Sequence, residues 1–571
     1  MAQGYLKYTY FIKISLKCYI LISRKIGFEF SKQKMGKTRP GGRISYPFLS
    51  RVRVLVAILI AFPNSLWANP SGGQVVSGVA NIIHNGGSTL TINQLTNYAI
   101  IDWRSFSIRS GQLTQFNQPA ALSATLNRVT GGDPSAIYGT LKANGQIYLI
   151  NPNGITVGPT GVINAQSFIA STLDVSNADF MSGGSLVFSG DSTAGLKNAG
   201  QISAFGGNVL LIAHTVQNTG QISAAQGTAA LAAGSEVLFM PSGEQHVFVE
   251  AGAGTAAVGV DQQGQIQAAT AELAAAGGNV YSVGINNSGV VRADAVQGQG
   301  GRVFLTATGG VVNNSGSLAA KDGEQGGTVQ VVGGQITLES GSNVDVSGAA
   351  GGGTALIGGD EHGANAGVPD ASQTTVQAGA TIDADATVNG NGGKVVVWSN
   401  DQTDFEGSII ARGGTAGGDG GFAEVSGKQD LIFNGSVDMR APKGALGNLL
   451  LDPADLDICS GADCPSGDVS YTGVGSTTYT GSPNGANSYI LASDLDSLLN
   501  GSYSNVTLQT SSSIPGAGTG AINILDSIVW TGSAGLSLSA YGAVNVGANI
   551  NGGGALTISG SNINLGYNGT S

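Results

Sequence analysis

The phrase Asn198-Ala-Gly-Gln-Ile-Ser-Ala204 returns as Asn218-Thr-Gly-Gln-Ile-Ser-Ala224, then as Gln262-Gln-Gly-Gln-Ile-Gln-Ala268, Asn287-Ser-Gly-Val-Val-Arg-Ala293 and Asn314-Ser-Gly-Ser-Leu-Ala-Ala320. Successive copies start 20, 44, 25 and 27 residues apart, and the long gap is close to two units of about 22. Each copy joins a turn, Asn-x-Gly, to a short strand with apolar and small residues at alternate positions. One such unit buries almost nothing alone. Laid on its neighbour at about 4.8 Å, it completes its backbone hydrogen bonds and stacks Ile on Ile and Asn on Asn. The repeats therefore predict an all-β chain, a right-handed parallel β-helix. Glycines are expected where coil corners need positive φ, and Ala and Ser in the narrow interior. A β-sandwich array would need longer hairpin strands joined by two-residue turns.

Looser copies follow at Ala380-Thr-Ile382-Asp-Ala384, Gly407-Ser-Ile409-Ile-Ala411 and Gly435-Ser-Val437-Asp-Met439. Composition agrees with many short strands. Of 571 residues 92 are glycine and only 11% are charged, while 41% are apolar. That excludes a disordered polyelectrolyte and a coiled coil, and the absence of a three-residue glycine period excludes collagen. At about 22 residues per coil, the chain after residue 68 makes about 20 coils, roughly 100 Å of stack.

Charge is divided along the chain. Residues 1–68 hold twelve Lys or Arg against Glu29, which leaves 13 basic and 35 acidic residues beyond them, a net of −22. A body this acidic has no counter-charge for phosphates, so nucleic acid is not an expected partner. Arg51 and Arg53 precede the apolar run Val54 to Phe62, the breaker Pro63, and Ser65-Leu66-Trp67-Ala68. Nine apolar residues are too few to span a bilayer, and the basic, apolar, small order is that of a cleaved secretory signal, with the cut between Ala68 and Asn69. Met35 opens a leader of ordinary length, so translation starting there is one reading and an extended signal is the other. Cys18 falls within the leader. Cys459 and Cys464 remain, five positions apart, and a local disulfide is expected in an oxidising compartment, with free thiols the alternative. No further ligand lies near enough for zinc.

Residues 73 to 185 differ from the repeats. They contain Ile101-Asp-Trp103-Arg-Ser-Phe106-Ser-Ile108, Phe116-Asn-Gln-Pro119, Leu126-Asn-Arg-Val129-Thr-Gly-Gly-Asp-Pro134-Ser-Ala-Ile137, Ala143-Asn-Gly-Gln-Ile-Tyr-Leu-Ile-Asn151-Pro-Asn-Gly-Ile155 and Ile169-Ala-Ser-Thr-Leu173. This order of motifs resembles the two-partner secretion domain of the filamentous haemagglutinin family, and Asn151, Pro152, Asn153, Gly154 and Ile155 match its Asn-Pro-Asn-Gly-Ile motif. Gly393-Lys-Val-Val-Val-Trp398-Ser, Gly420-Gly-Phe422-Ala-Glu424-Val-Ser-Gly427-Lys and Leu449-Leu-Leu-Asp452-Pro453 resemble stretches common in its large exoproteins. The family's second motif, Asn-Pro-Asn-Leu, has no copy here; Phe116-Asn-Gln-Pro119 stands in that region.

The resemblance implies passage through the general secretory machinery and then through an outer-membrane partner transporter with periplasmic recognition domains. It also implies display at the bacterial surface or release, as an adhesin or haemagglutinin-like rod meeting a host or cell-surface receptor. On this reading residues 1–68 are the leader, 69–190 the secretion domain, 191–450 β-helical repeats and 451–571 further repeats with the cysteine pair. Asn151 and Asn153 are expected either to hold a tight turn or to touch the transporter, with Gly154 at positive φ. The segment from Asn549 to Ser571 still reads as repeat without a terminal cap, which predicts a fragment or a truncated copy.

No catalytic residue, metal site or cofactor is expected. His84, His214, His246 and His362 share no motif spacing, Asp360-Glu361-His362 reads as a solvated corner loop, and Asp401, Asp404 and Glu406 read as a structural turn. A β-helical polysaccharide-degrading enzyme, which needs carboxylates gathered on adjacent coils, is one competing class. The stalk of a contact-dependent toxin lacking its C-terminal domain is another.

Overall fold

The computed structural model describes residues 69–249, 259–276, 283–294, 301–460, 469–471, 477–479, 488–501, 503–510 and 519–566. The repeated phrases lie where stacking places them. Gln201–Ala204 pairs in parallel with Val162–Ala165 before it and with Gln221–Ala224 after it, Ile163 opposite Ile202 opposite Ile222. The column continues through Ile266, Val291, Leu318, Val344, Ile382, Ile409 and Val437, and all of these side chains are buried. Alternation along each short strand sends these residues inward and Gln, Ser or Asp outward, so a one-residue slip would turn every coil inside out.

Two more columns complete the coil. One runs from Ser135–Ile137 through Ile155–Val157, Gly195–Asn198 and Thr215–Asn218. The other runs from Tyr98–Trp103 through Ala124–Val129, Gln146–Ile150, Ser167–Ser171 and Val209–Ala213, and reaches Leu556–Ser559. The chain is thus a parallel β-helix, and stacking passes through residue 190 without interruption. Two antiparallel pairings close its first turn: Gln74–Ser77 lies against Tyr98–Trp103, and Ala80–His84 against Thr89–Gln94. Trp103 and Phe106 meet edge-on there, 5.8 Å between centroids.

Glycine has a different job from the expected one in the repeated phrase. Gly200, Gly220, Gly264, Gly289 and Gly316 are not among the positive-φ residues. They sit directly above one another, and a methyl on Gly220 would overlap the carbonyl oxygen of Gly200, as one on Gly316 would overlap that of Gly289. Close approach of backbones, not handedness, selects glycine in this column.

Among the described residues, stacking order departs from chain order at one strand. Ser488–Leu491 inserts between Asp430–Phe433 and Leu456–Cys459, so a later strand lies beneath an earlier one. The helix Ala492–Leu499 follows it, with Leu495 and Leu499 in the core.

In the third column the outward face is covered as well. The row Ile100, Leu126, Tyr148, Ile169, Leu210, Ala230 packs under the helix Asn177–Ser182 and an antiparallel sheet of Leu186–Ser189, Glu236–Phe239 and Val247–Val249. Farther along the same row, Leu356, Val396 and the neighbouring Trp398 pack with Val368 of an excursion between Thr354–Ile357 and Gln373–Val376.

Candidate functional site

Asn151 ends the strand Gln146–Ile150 at a coil corner and is fully buried. Its side-chain Nδ2 donates to the Asp133 carbonyl (3.0 Å) and to Ser135 Oγ (2.9 Å), tying the corner to the preceding coil. Its Oδ1 accepts the backbone N–H of Asn153 (2.9 Å) and Asn153 Nδ2 (3.1 Å), an Asx turn that Gly154 closes by donating to the Asn151 carbonyl. Gly154 has φ +110°, as expected of a turn glycine, and Ile155 returns to the core between Ser135 and Leu196. Pro152 and Asn153 are exposed. Asn153 Nδ2 also reaches the Gly131 carbonyl at 2.9 Å, and Ser192 Oγ donates to that of Pro152 at 2.7 Å. Asn151 is thus an internal brace, whereas Pro152 and Asn153 form the outward tip of a corner fixed from both neighbouring coils.

A second braced corner stands at Phe116-Asn-Gln-Pro119. Gln118, nearly buried, donates from Nε2 to the carbonyls of Ser123 (3.0 Å) and Gln146 (3.1 Å) and accepts Gly145 N–H at Oε1 (2.9 Å). Asn144 exchanges two hydrogen bonds with the backbone of Gln118. The glutamine brings a buried amide to this corner as Asn151 does at its own.

The expected solvated loop at Asp360-Glu361-His362 is instead docked. Its excursion folds back on the third column, where Glu424 and Asp452 are fully buried. His362 N–H donates to both oxygens of Glu424 (3.2 and 3.3 Å), and its ring Nδ1 lies 3.2 Å from Asp452 Oδ2. Burial pushes the Glu424 carboxyl up to about 7, against the lowering pull of His362. An analogous fastening holds the first cover: the fully buried Glu272 accepts the N–H groups of His246 and Val247, each at 2.8 Å. The signal for these fastenings was a glutamate inside a run of inward-packing small residues, as in Thr270-Ala-Glu272-Leu-Ala-Ala. Among the described residues no group of His, Cys, Asp and Glu has a metal-binding arrangement.

Of the three acids expected in a turn, Asp404 lies on a strand, Gln402–Phe405, between Thr375 and Ile432 on the outward face, and Asp401 and Glu406 flank that strand. Burial, then the charge of Glu406, raises the Asp404 carboxyl to about 6. A groove of about 510 Å³ opens where three corner loops stack, lined by Thr387, Arg412, Thr415, Arg440 and Pro442. Arg412 is anchored on the nearly buried Asp385, while Arg440 pairs with Asp438 and leaves most of its side chain in solvent. Cys459 is disulfide-bonded; Cys464 and Ala68 lie outside the described residues, and Asn69 is the first within them.

Comparison with known proteins places these features. The model of the TPS secretion domain matches residues 68–320. The crystal structure of the HMW1 secretion domain from Haemophilus influenzae superposes with a TM-score of 0.54 at 30% identity, over 66% of this chain and 100% of that one. Two heme/hemopexin-binding proteins of Haemophilus influenzae are 40% identical over 126 residues and 38% over 106 residues. The matched stretches span 14% and 11% of those relatives' lengths.

Proposed function

The chain belongs to the two-partner secretion exoproteins, and we propose that it is exported through a partner transporter of the outer membrane and acts as a surface adhesin. The general secretory machinery takes it across the inner membrane and cleaves between Ala68 and Asn69. The exposed tip Pro152-Asn153 is read by the periplasmic recognition domains of the transporter, and Asn151, Gly154 and Ile155 hold that tip in shape. The observation that carries this reading is the tip's geometry: two exposed residues on a corner braced from the coils on either side. Asn153→Ala should leave a folded, protease-resistant protein that accumulates in the periplasm. A protease-sensitive variant would assign Asn153 to the turn alone.

Adhesion belongs to the exposed coil surface, and the groove at Arg412 and Arg440 is the receptor contact we propose. Arg440→Ala should lower binding of the secreted protein to host or neighbouring cells while secretion is unchanged. Heme binding, which the names of the two curated relatives give together with hemopexin binding, is the second reading. Titration with heme followed by its Soret absorption decides between them, and a saturable spectral shift would replace adhesion with heme binding.

A further inference from the structure

The excursion at 358–371 is built to open as a unit. Its ends meet, with Ala371 N–H donating to the Gly358 carbonyl at 2.7 Å, and Gly358 (φ +83°) and Gly363 (φ +59°) turn the chain at its entry and midpoint. Beneath it lies an apolar strip of Val332, Leu356, Val396 and Trp398. Gly359 and Gly363 rest on the indole so closely that a methyl on either would overlap it. The cover is therefore fitted to Trp398, yet it contributes little apolar surface of its own beyond Val368.

What fastens it is polar and spans several coils. His362 holds φ +58°, a conformation that costs most side chains energy, and in it presents its N–H to Glu424 and its ring to Asp452. Glu424 and Asp452 belong to successive coils of the third column, both beyond the coil that carries Lys394. The groups facing Glu424 come from each neighbouring element: His362 from the cover, Asp452 with Gln509 Nε2 on it at 3.1 Å, and Ser426 on the same strand. At one rim Lys394 pairs with Asp360 (2.8 Å) and Glu361 (3.1 Å), and at the other Asp370 lies near Lys428. Two carboxyl groups thus stand fully buried under a single half-exposed imidazole.

We propose that 358–371 is a proton-controlled cover, closed over Trp398 while Glu424 carries its proton and loosened when Glu424 ionises beside Asp452. The carboxyl group accepts the His362 N–H in either state, but the ionised form must stay desolvated next to a second acid, and opening returns it to water. Opening uncovers an apolar strip on the outer face, whereas the inward columns keep their stacking.

The sign follows from linkage. A carboxyl raised from 4.5 to about 7 favours the closed state most at low pH, and that advantage is lost as pH rises from 4.5 to 7. Burial also raises Asp370, which acts in the same direction, while Asp360, held low by its hydrogen bonds to Lys394 and Asn365, and Lys394, held high by its acidic partners, stay charged throughout this window. Hydrogen exchange of the full secreted chain, read on peptides spanning 358–371 and corrected for intrinsic rates, tests it. Protection should fall at least about tenfold between pH 5 and 7 and level off above 7.5. Glu424→Gln should flatten the curve at the protected level; Asp370→Asn and His362→Asn, the latter tolerant of positive φ, should retain most of the slope. Equal protection at pH 5 and 7, or the full slope in Glu424→Gln, would overturn the proposal. If Glu424→Gln does not fold, the wild-type curve is read a second way, as acrylamide quenching of the signal lost in Trp398→Phe. Quenching that rises from pH 5 to 7 supports the cover, and quenching independent of pH refutes it.

Discussion

The buried amide ladder gives a quantitative handle on stacking. Asn198 Nδ2 donates to Asn218 Oδ1 (2.8 Å), and Asn218 Nδ2 donates to Gln262 Oε1 (2.7 Å), all three residues being fully or almost fully buried. Gln262 then turns its Nε2 to the Gly264 carbonyl, so the ladder breaks and Asn287 Oδ1 has no hydrogen-bond partner. Asn287 Nδ2 resumes it by donating to Asn314 Oδ1 at 2.7 Å. Asn218→Ala strands a donor above and an acceptor below, two buried groups at about 1–3 kcal/mol each. Asn287→Ala strands one acceptor. The first substitution should therefore destabilise its coils by about 2 kcal/mol more than the second, roughly a 30-fold difference in local opening. Because each coil contacts only its neighbours, the effect is read locally, by native-state hydrogen exchange on peptides covering 195–204, 215–224 and 283–294. Equal losses for the two variants, or a larger loss for Asn287→Ala, would refute the ladder as a source of coil stability.

Three further outcomes follow from the same geometry. Gly421→Ala drives a methyl into the Gly393 carbonyl and should cost about 1–3 kcal/mol or more, whereas Gly184→Ala, with open space around it, should change stability by less than about 0.5 kcal/mol; denaturant midpoints compare them. Asp404, raised to about 6, weakens the fold as pH climbs from 3.8 to 6, so Asp404→Asn should add on the order of 1 kcal/mol at pH 8, allowing for partial exposure, and nothing at pH 3. The same variant tests the enzymatic alternative: loss of sugar release from pectin-like glycans would make Asp404 a catalytic acid. Ile222→Asp places a charge in the inner column and should stall secretion partway, and unchanged secretion would count against stacking as the force that draws the chain outward.

The repeat phrase made the stack legible because its period, its alternation and its Asn-x-Gly turn all demand the same neighbour above and below. Ile202, Ile222 and Ile266 could be aligned on paper and align in the structure. What period cannot carry is anything that leaves the coil. The covers, one built from 177–189 with 236–249 and the other from 358–371, are excursions whose own composition is unremarkable, and their fastenings join residues 26 to 90 positions apart, Glu272 to His246 and Asp452 to His362. The strand Ser488–Leu491 is hidden for the same reason, since its place beneath Leu456–Cys459 breaks the rule that stacking follows chain order. At the corner 151–155 the motif located the site, but only the hydrogen bonds separate Asn151, turned inward as a brace, from Asn153 at the tip.

Export through a partner is tested most directly by expressing the full chain, leader included, in a Gram-negative host with and without a two-partner outer-membrane transporter, and measuring the protein in the medium and the periplasm. Protein outside the cell only when the transporter is present, and confined to the periplasm without it, is the predicted result. Equal amounts in the medium under both conditions would contradict it.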